Sequence, residues 1–205
     1  HRGCLPTLET VAKLCSGSGL ENTITLIACY VYLTRARALF DMKKMLAWVR
    51  CTLDTPLGTM TLAAHDTGLV WAGFDGQRHA PDTTAWRPSQ DHPMLQQANE
   101  QLQQYFASER TLFDLVLDLG GGTAFQQAVW KSLLDIAPGT TSSYGTISQR
   151  IDKPSAARAV GAAIGRNPIS IIVPCHRVVG AHGAMTGYAG GIDRKIALLQ
   201  LESSI

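Results

Sequence analysis

The chain has 205 residues, of which 45% are hydrophobic, and a formal net charge of +2. This length and composition are ordinary for a globular protein with one large or two small domains. No stretch reaches the roughly 20 apolar residues that span a bilayer, which excludes a membrane-spanning protein.

Residues 1–45 differ from the rest of the chain and contain no motif. Their longest apolar run, 24–33, is about half the length of a membrane span. A signal peptide is not expected, because basic residues follow this run and none cluster before it. One hypothesis is that the natural start is Met42 or Met45 and that the upstream part is a non-native extension. We expect a poorly packed extension here, and a soluble protein of the cytoplasm.

Residues 46–119 predict a small α+β domain. Three strands are expected, each indicated by alternating apolar residues and bounded by turn residues: 49–55, 59–64 and 69–74. Residues 75–91 are expected to form a loop. Apolar residues at three- and four-residue spacing indicate a helix over 92–107, and renewed alternation indicates a further strand over 112–119.

Residues 120–205, which begin with three glycines, predict a mostly helical domain. This part contains eight Lys and Arg against four Asp and Glu, a net +4, whereas residues 46–119 contain four against nine, a net −5. The basic balance weakly favours a polyanionic partner for the C-terminal domain.

Four helices are expected in the C-terminal domain. Thr123 caps the first, Ser142 or Ser143 the second, and Ser155 the third, while 195–202 forms the last. The third helix, 156–164, is rich in Ala and Gly, and Arg158 is its only charged residue. Two short helices around a tight turn predict a helix-turn-helix. The alternative, which the small residues alone favour, is a tightly packed core helix.

Five cysteines stand at positions 4, 15, 29, 51 and 175. Their number is odd, and no pair has the spacing of a zinc site or a redox motif. Free thiols in a reducing compartment are the simplest interpretation.

The most informative segment is IIVPCHRVV over 171–179. The apolar run 171–173 predicts a buried strand that places Cys175 at a rigid strand exit after a proline. A basic neighbour such as His176 favours the thiolate, the nucleophilic form of cysteine. The alternative is a small buried hydrophobe, because adjacent residues of a strand point to opposite faces.

These residues resemble the signature of the O6-alkylguanine-DNA alkyltransferases, also called methylated-DNA–protein-cysteine methyltransferases. Further segments resemble the same family in order and spacing: 125–130, 143–145, 156–161, 167–168, 187–191 and 195–202, with the turn at 55–58 similar to its N-terminal domain. The resemblance implies an α/β protein with a ribonuclease-H-like N-terminal domain. It also implies a winged-helix-like C-terminal domain that contains the helix-turn-helix.

The family's chemistry implies a role for five residues. Cys175 is the nucleophile and final alkyl acceptor, and His176 takes the thiol proton through a water. Glu202 orients His176 and balances its charge. Tyr144 gives a proton to N3 of the leaving guanine. Asn167 ties the helix-turn-helix to the active-site turn, and Arg177 is assigned no chemical step.

The resemblance also implies double-stranded DNA as partner, entered from the minor groove with the alkylated base flipped out. Arg158 fills the place that the flipped nucleotide leaves. The remaining contacts are the backbone of Val173 and Ala189, the loop residue Tyr188, the small residues Ala157 and Gly161, and Lys153 at a phosphate. The reaction is stoichiometric, on O6-alkylguanine and also O4-alkylthymine, by a monomer without a cofactor.

Three departures from the family pattern are visible. Ala189 stands where a serine is common, and Gly145 where many members have glutamine. The zinc ligands of some relatives cannot be placed, so no metal is expected. Two other functions stay open at this point: a cysteine hydrolase that turns over, and a helix-turn-helix regulator with an inert cysteine.

Overall fold

The computed structural model describes residues 48–203, and these belong to one compact unit. The expected extension over 1–45, and with it the hypothesis on Met42 and Met45, lies outside the described residues. Over 48–203, no helix is both long and apolar enough to cross a membrane.

A four-stranded sheet forms the N-terminal part, in the order β3-β2-β1-β4. Its strands are β1 (Val49–Leu53), β2 (Met60–His65), β3 (Gly68–Phe74) and β4 (Arg87–Pro88). The first three are antiparallel neighbours, as the alternating pattern predicted. The two-residue β4 pairs parallel to β1 inside the expected loop. It was missed because two residues, one a proline, carry no alternation.

The strand predicted over 112–119 is wrong. Only Leu117 pairs with the sheet, bridging to Leu69 of β3. Earlier in the same segment, the side-chain amide of Gln101 accepts a hydrogen bond from the Asp114 N–H and donates one to the Asp114 carbonyl. A side chain therefore satisfies backbone groups that a neighbouring strand would otherwise pair, while the side chains still alternate between half-buried and exposed.

Helix α1 (Pro93–Phe106) covers one face of the sheet, as the spacing predicted. Proline at its start costs no hydrogen bond, since the first N–H groups of a helix have no partner within it. Leu95, Ala98 and Leu102 are buried against the sheet. Tyr105 on the same side is fully buried and reaches the C-terminal part, where its hydroxyl matters for the site.

The C-terminal part is mostly helical. Its elements are α2 (Ala124–Leu133), β5 (Ser142–Ser143), α3 (Tyr144–Arg150), α4 (Ala157–Ile164), β6 (Val178–Val179) and α5 (Ile192–Ser203). Thr123 caps α2 through a capping box with Gln126, and Ser143 caps α3. The prediction for Ser155 is wrong, because α4 begins after Ala156 without a side-chain cap.

The strand predicted over 171–173 is also wrong. Residues 169–173 form a tight turn in which the Val173 N–H bonds to the Ile169 carbonyl. Ile171 has φ +72°, a conformation rare for a β-branched residue. Burial of the run was correctly predicted, since all three side chains are buried. A 3₁₀ turn, Cys175–Arg177, follows.

The sheet is joined to this turn directly. Ala72 of β3 donates to the Pro168 carbonyl at 3.0 Å and accepts from Ser170 at 2.7 Å. One hydrophobic core runs through both parts of the described chain. The expected α/β class, a sheet part followed by a mostly helical part, is confirmed.

Candidate active site

Cys175 is held in a buried pocket of backbone and amide groups. Only 4% of the residue is exposed. The Asn167 side chain donates to its Sγ at 3.0 Å and to the Val173 carbonyl at 2.8 Å, and accepts from the Ile169 N–H. Asn167 follows α4 closely, so it ties this helix to the turn that carries the thiol.

Burial determines the resting state of the thiol. It raises the pKa of Cys175 to about 11, although the Asn167 bond and the charge of Lys195 act in the opposite direction. At neutral pH the sulfur is therefore protonated, and nucleophilic attack needs a nearby group that accepts the proton.

The carboxylate of Glu202 is the hub of a buried network. It accepts from His176 Nε2 at 2.8 Å, from Tyr105 at 2.9 Å, and from two nitrogens of Arg177 at 2.8 and 2.9 Å. Arg177 also donates to the Ile136 carbonyl. Burial alone would raise the pKa of Glu202, but the bonds from His176 and Arg177 lower it to about 2.

His176 is fully buried and neutral. Burial lowers its pKa, with Glu202 opposing the shift and the charges of Arg177 and Lys195 adding to it. Because the carboxylate only accepts, Nε2 carries the imidazole proton. Nδ1 is then a lone-pair acceptor, and it has no hydrogen-bond partner among residues 48–203. The adjacency of His176 and Cys175 is no obstacle, since the two lie on a 3₁₀ turn and not on a strand.

Tyr144 starts α3 and faces the glycine loop, residues 187–191. Its hydroxyl donates to the Thr186 carbonyl at 3.1 Å. Its ring lies 3.6 Å from the position that a Cβ on Gly161 would occupy, an ordinary contact distance, so α4 passes close to this ring at Gly161. Burial raises the pKa of Tyr144, which keeps the hydroxyl protonated.

The glycine loop contains the other two predicted contact residues. Tyr188 is buried, and Ala189 is half-buried. Burial, and then the neighbouring Cys175, raise the pKa of Tyr188 well above its ordinary value. Tyr188 and Cys175 belong to the same hydrophobic core.

The predicted DNA contacts differ in their exposure. Arg158 and Lys153 are exposed, and Ala157 is half-buried. Val173, whose backbone was assigned to the base, is buried beside Asn167.

Sequence reasoning missed Lys195 and the hydroxyl of Tyr105. Lys195 is fully buried, and its ammonium donates to the carbonyls of Val178 and Thr186 at 2.6 and 2.7 Å. Burial lowers the pKa of Lys195. One signal could have found it: Lys195 precedes Leu198 and Glu202 by three and seven residues, which puts it on the inner face of α5.

No group of three or more metal-ligating side chains lies together among residues 48–203. The two described cysteines, Cys51 and Cys175, are free thiols.

Two family models match the chain and together cover more than half of it. The ribonuclease-like domain of 6-O-methylguanine DNA methyltransferase matches residues 49–119, and the DNA binding domain of the same family matches residues 124–204. The chain belongs to the O6-methylguanine DNA methyltransferase family. The resemblance read from its motifs is thereby confirmed.

Curated members of this methyltransferase family are similar over most of the chain. The methylated-DNA–protein-cysteine methyltransferase of Mycobacterium tuberculosis is 54% identical over 153 residues, 75% of this chain and 91% of the relative. The one from Methanosarcina acetivorans is 44% identical over 152 residues, 74% of this chain and 96% of the relative.

Solved structures of the methyltransferase family have the same fold. The M. tuberculosis O6-methylguanine methyltransferase matches with a TM-score of 0.71 and 52% identity, over 77% of this chain and 93% of its own. The same organism's OGT in complex with DNA matches with a TM-score of 0.69, over 77% and 92%. These matches agree with the α/β class and with the order of the two parts.

Proposed function

We propose that this protein repairs DNA by direct reversal, moving the alkyl group from O6 of an alkylguanine to the sulfur of Cys175. The observation that carries this proposal is the buried thiol beside Asn167, followed by a neutral His176 that Glu202 holds through one ring nitrogen. Relatives named methylated-DNA–protein-cysteine methyltransferases support it. A family structure in complex with DNA supports DNA as the partner.

The first step is removal of the thiol proton. With a pKa of about 11, Cys175 needs a base, and the lone pair on Nδ1 of neutral His176 is available for that proton through one bridging water. Glu202 is the positioning residue: it keeps the other ring nitrogen protonated and stabilises the imidazolium that forms. This role agrees with its low pKa, since the carboxylate stays charged throughout.

The second step is displacement at carbon. The Sγ lone pair forms the S–C bond while the C–O6 bond breaks, and the bonding pair moves onto guanine. The Tyr144 hydroxyl turns from the Thr186 carbonyl and donates its proton to N3. The imidazolium then returns a proton through water to the phenolate, so the net change is thiol plus alkylguanine to thioether plus guanine.

The thioether has no easy route back to a thiol. Each molecule therefore reacts once, and the protein acts as a stoichiometric acceptor. O4-alkylthymine presents the same kind of alkyl–oxygen bond beside a ring that can delocalise charge, so we include it among the substrates.

For DNA binding, we propose that α3 and α4 form a helix-turn-helix whose second helix enters the minor groove. Exposed Arg158 takes the place of the flipped nucleotide, and exposed Lys153 contacts a phosphate. Ala157 allows close approach to the backbone. Gly161 has the same role, and it lies next to the Tyr144 ring.

In the bound state, Val173, Tyr188 and Ala189 line the place of the flipped base. Residues 46–119 and 120–205 act as the N-terminal domain and the alkyl-transfer domain, in line with the residues that the two family models match. We further propose a monomer in the cytoplasm, and the two free thiols fit a reducing compartment.

The test is a duplex that carries one labelled O6-methylguanine. We expect one methyl group per protein molecule, located on Cys175 by peptide mass spectrometry, and none on a Cys175→Ala variant. The matched control is Cys51→Ala, which removes the other described thiol and should accept a full equivalent. Repeated turnover would indicate the hydrolase instead, and binding without transfer would indicate the regulator.

A further inference from the structure

The start of α5 is joined to the N-terminal sheet by one side chain, Arg194. Its Nε donates to the Leu57 carbonyl at 2.8 Å and its Nη1 to the Gly190 carbonyl at 2.9 Å. The guanidinium carbon lies 4.6 Å from the centre of the Phe74 ring at the end of β3. The Arg194 guanidinium therefore contacts three segments: the turn after β1, the end of β3 and the glycine loop.

The same loop is held at two more points, by the segment after β3 and by the last residue of β3. The Arg78 N–H donates to the Ala189 carbonyl at 3.0 Å. A Cβ on Gly190 would lie 3.3 Å from the Phe74 ring and 2.8 Å from the Tyr188 ring, so the loop is packed without spare room there. These contacts fix the position of residues 187–191 relative to β3 and the segment that follows it.

We propose that Arg194 is a positioning residue, which couples the turn at Thr55–Gly58 to the glycine loop and so holds that loop in place for alkyl transfer. This inference rests on the proposed function. Tyr188 packs in the same hydrophobic core as Cys175, and Tyr144 hydrogen-bonds to Thr186 at the edge of the loop. A shift of the loop therefore moves the groups around Cys175 without touching the thiol itself.

The bridge depends on the shape of arginine and not only on its charge. A planar guanidinium can donate in two directions while it stacks on an aromatic face. A lysine ammonium is a point charge on a flexible stem and cannot span the Leu57 and Gly190 carbonyls while it covers Phe74. Arg194→Lys is therefore expected to behave like Arg194→Gln.

The experiment measures single-turnover methyl transfer from an O6-methylguanine duplex as a function of duplex concentration, well below the unfolding temperature of each variant. For Arg194→Gln and Arg194→Lys we expect a rate at saturating duplex that is lower on the order of 10- to 100-fold, the effect of a slightly misplaced site. The half-saturating concentration should stay unchanged. A merely destabilised protein would lose active molecules, seen as a lower methyl stoichiometry, and keep its rate.

The matched control is Arg110→Gln. Arg110 also donates in two directions, to the Gln104 side chain and the Leu112 carbonyl, but far along the chain from the loop. The methyl-transfer rate of Arg110→Gln should stay within about twofold of that of the unmodified protein, as expected for a surface substitution. Equal rates for Arg194→Gln and Arg110→Gln, or a fully active Arg194→Lys, would overturn the proposal.

A double-mutant cycle tests the coupling itself. Gly58 has φ +107°, and a Cβ there would lie 3.1 Å from Nη2 of Arg194. Gly58→Ala should slow transfer in the unmodified protein but have no further effect on rate in the Arg194→Gln background. The same slowing in both backgrounds would overturn the coupling. If the unmodified protein accepts no methyl group at all, the proposed function is wrong, and the inference on Arg194 is wrong for that reason.

Discussion

Replacing Glu202 by Gln keeps the size of the side chain and removes its charge. The carboxylate accepts four hydrogen bonds, two of them from Arg177 and one each from His176 and Tyr105. An amide has one oxygen, and its NH₂ group cannot accept. Three of the four bonds end on Oε1 and the fourth, from Arg177 Nε, ends on Oε2. At least one buried donor therefore loses its acceptor in Glu202→Gln, and the charge of Arg177 loses its counterion.

The magnitude follows from the burial of this network. Arg177 is 5% exposed and Glu202 is 3% exposed. Breaking such a buried pair on one side costs about 3–5 kcal/mol. A protein of this size loses about 2–4 °C of melting temperature per kcal/mol, so the expected decrease is roughly 6–20 °C.

Thermal unfolding followed by circular dichroism measures this change. Exposed Glu109 supplies the control, and Glu109→Gln should unfold within about 2 °C of the unmodified protein. Tyr105→Phe removes one donor and leaves the charge pair intact, so it should cost about 1 kcal/mol. Glu202→Gln should also slow methyl transfer, measured at a temperature where the variant is folded, because His176 loses the group that sets its tautomer.

A Glu202→Gln protein that unfolds at the same temperature as the Glu109→Gln control would refute this reasoning. Such a result would mean that the Arg177 charge is solvated in the folded protein and that the network does not stabilise it.

Three further predictions concern pH, the proton donor and DNA. Folding lowers the pKa of His176 below its ordinary 6.5, because the imidazole is buried, and the bonds from His176 and Arg177 lower the pKa of Glu202 from 4.5 to about 2. The stability that depends on these two groups is therefore complete above pH 6.5 and is lost as the pH falls. Urea unfolding at pH 7.5, 5.5 and 4 should show a steadily smaller free energy of unfolding, and a larger one at pH 5.5 would contradict the assignment. Tyr144→Phe should slow methyl transfer on the order of 10²- to 10⁴-fold with little change in melting temperature, and an unchanged rate would exclude Tyr144 as the acid. Arg158→Ala should slow repair of a duplex far more than reaction with a free alkylated base, and equal losses would exclude the proposal that Arg158 takes the place of the flipped nucleotide.

The local elements were predictable because their signals lie within a few residues. Thr123 and Ser143 cap helices by bonding to N–H groups three residues ahead, so the sequence alone indicates where α2 and α3 begin. The alternation that predicts β1, β2 and β3 is equally local. The motif around Cys175 was also readable, since six ordered segments pointed to one family.

The two strand predictions that failed share a physical cause. The apolar runs at 112–119 and 171–173 indicate burial, but pairing depends on which backbone lies alongside. The Gln101 side chain satisfies Asp114 in the first case. In the second, the chain folds back on Ile169, and Ile171 takes a positive φ.

Some features of the candidate site could likewise be predicted from the sequence, and others could not. The family could be read from the sequence, because its motifs occur in the family's order and spacing, and that resemblance implied Cys175 as the nucleophile with His176 and Glu202 as its partners. The neutral state of His176 and the burial of Lys195 became visible only in the folded structure. These properties depend on how much water reaches each group, and segments far apart in the chain determine that only once they are packed together.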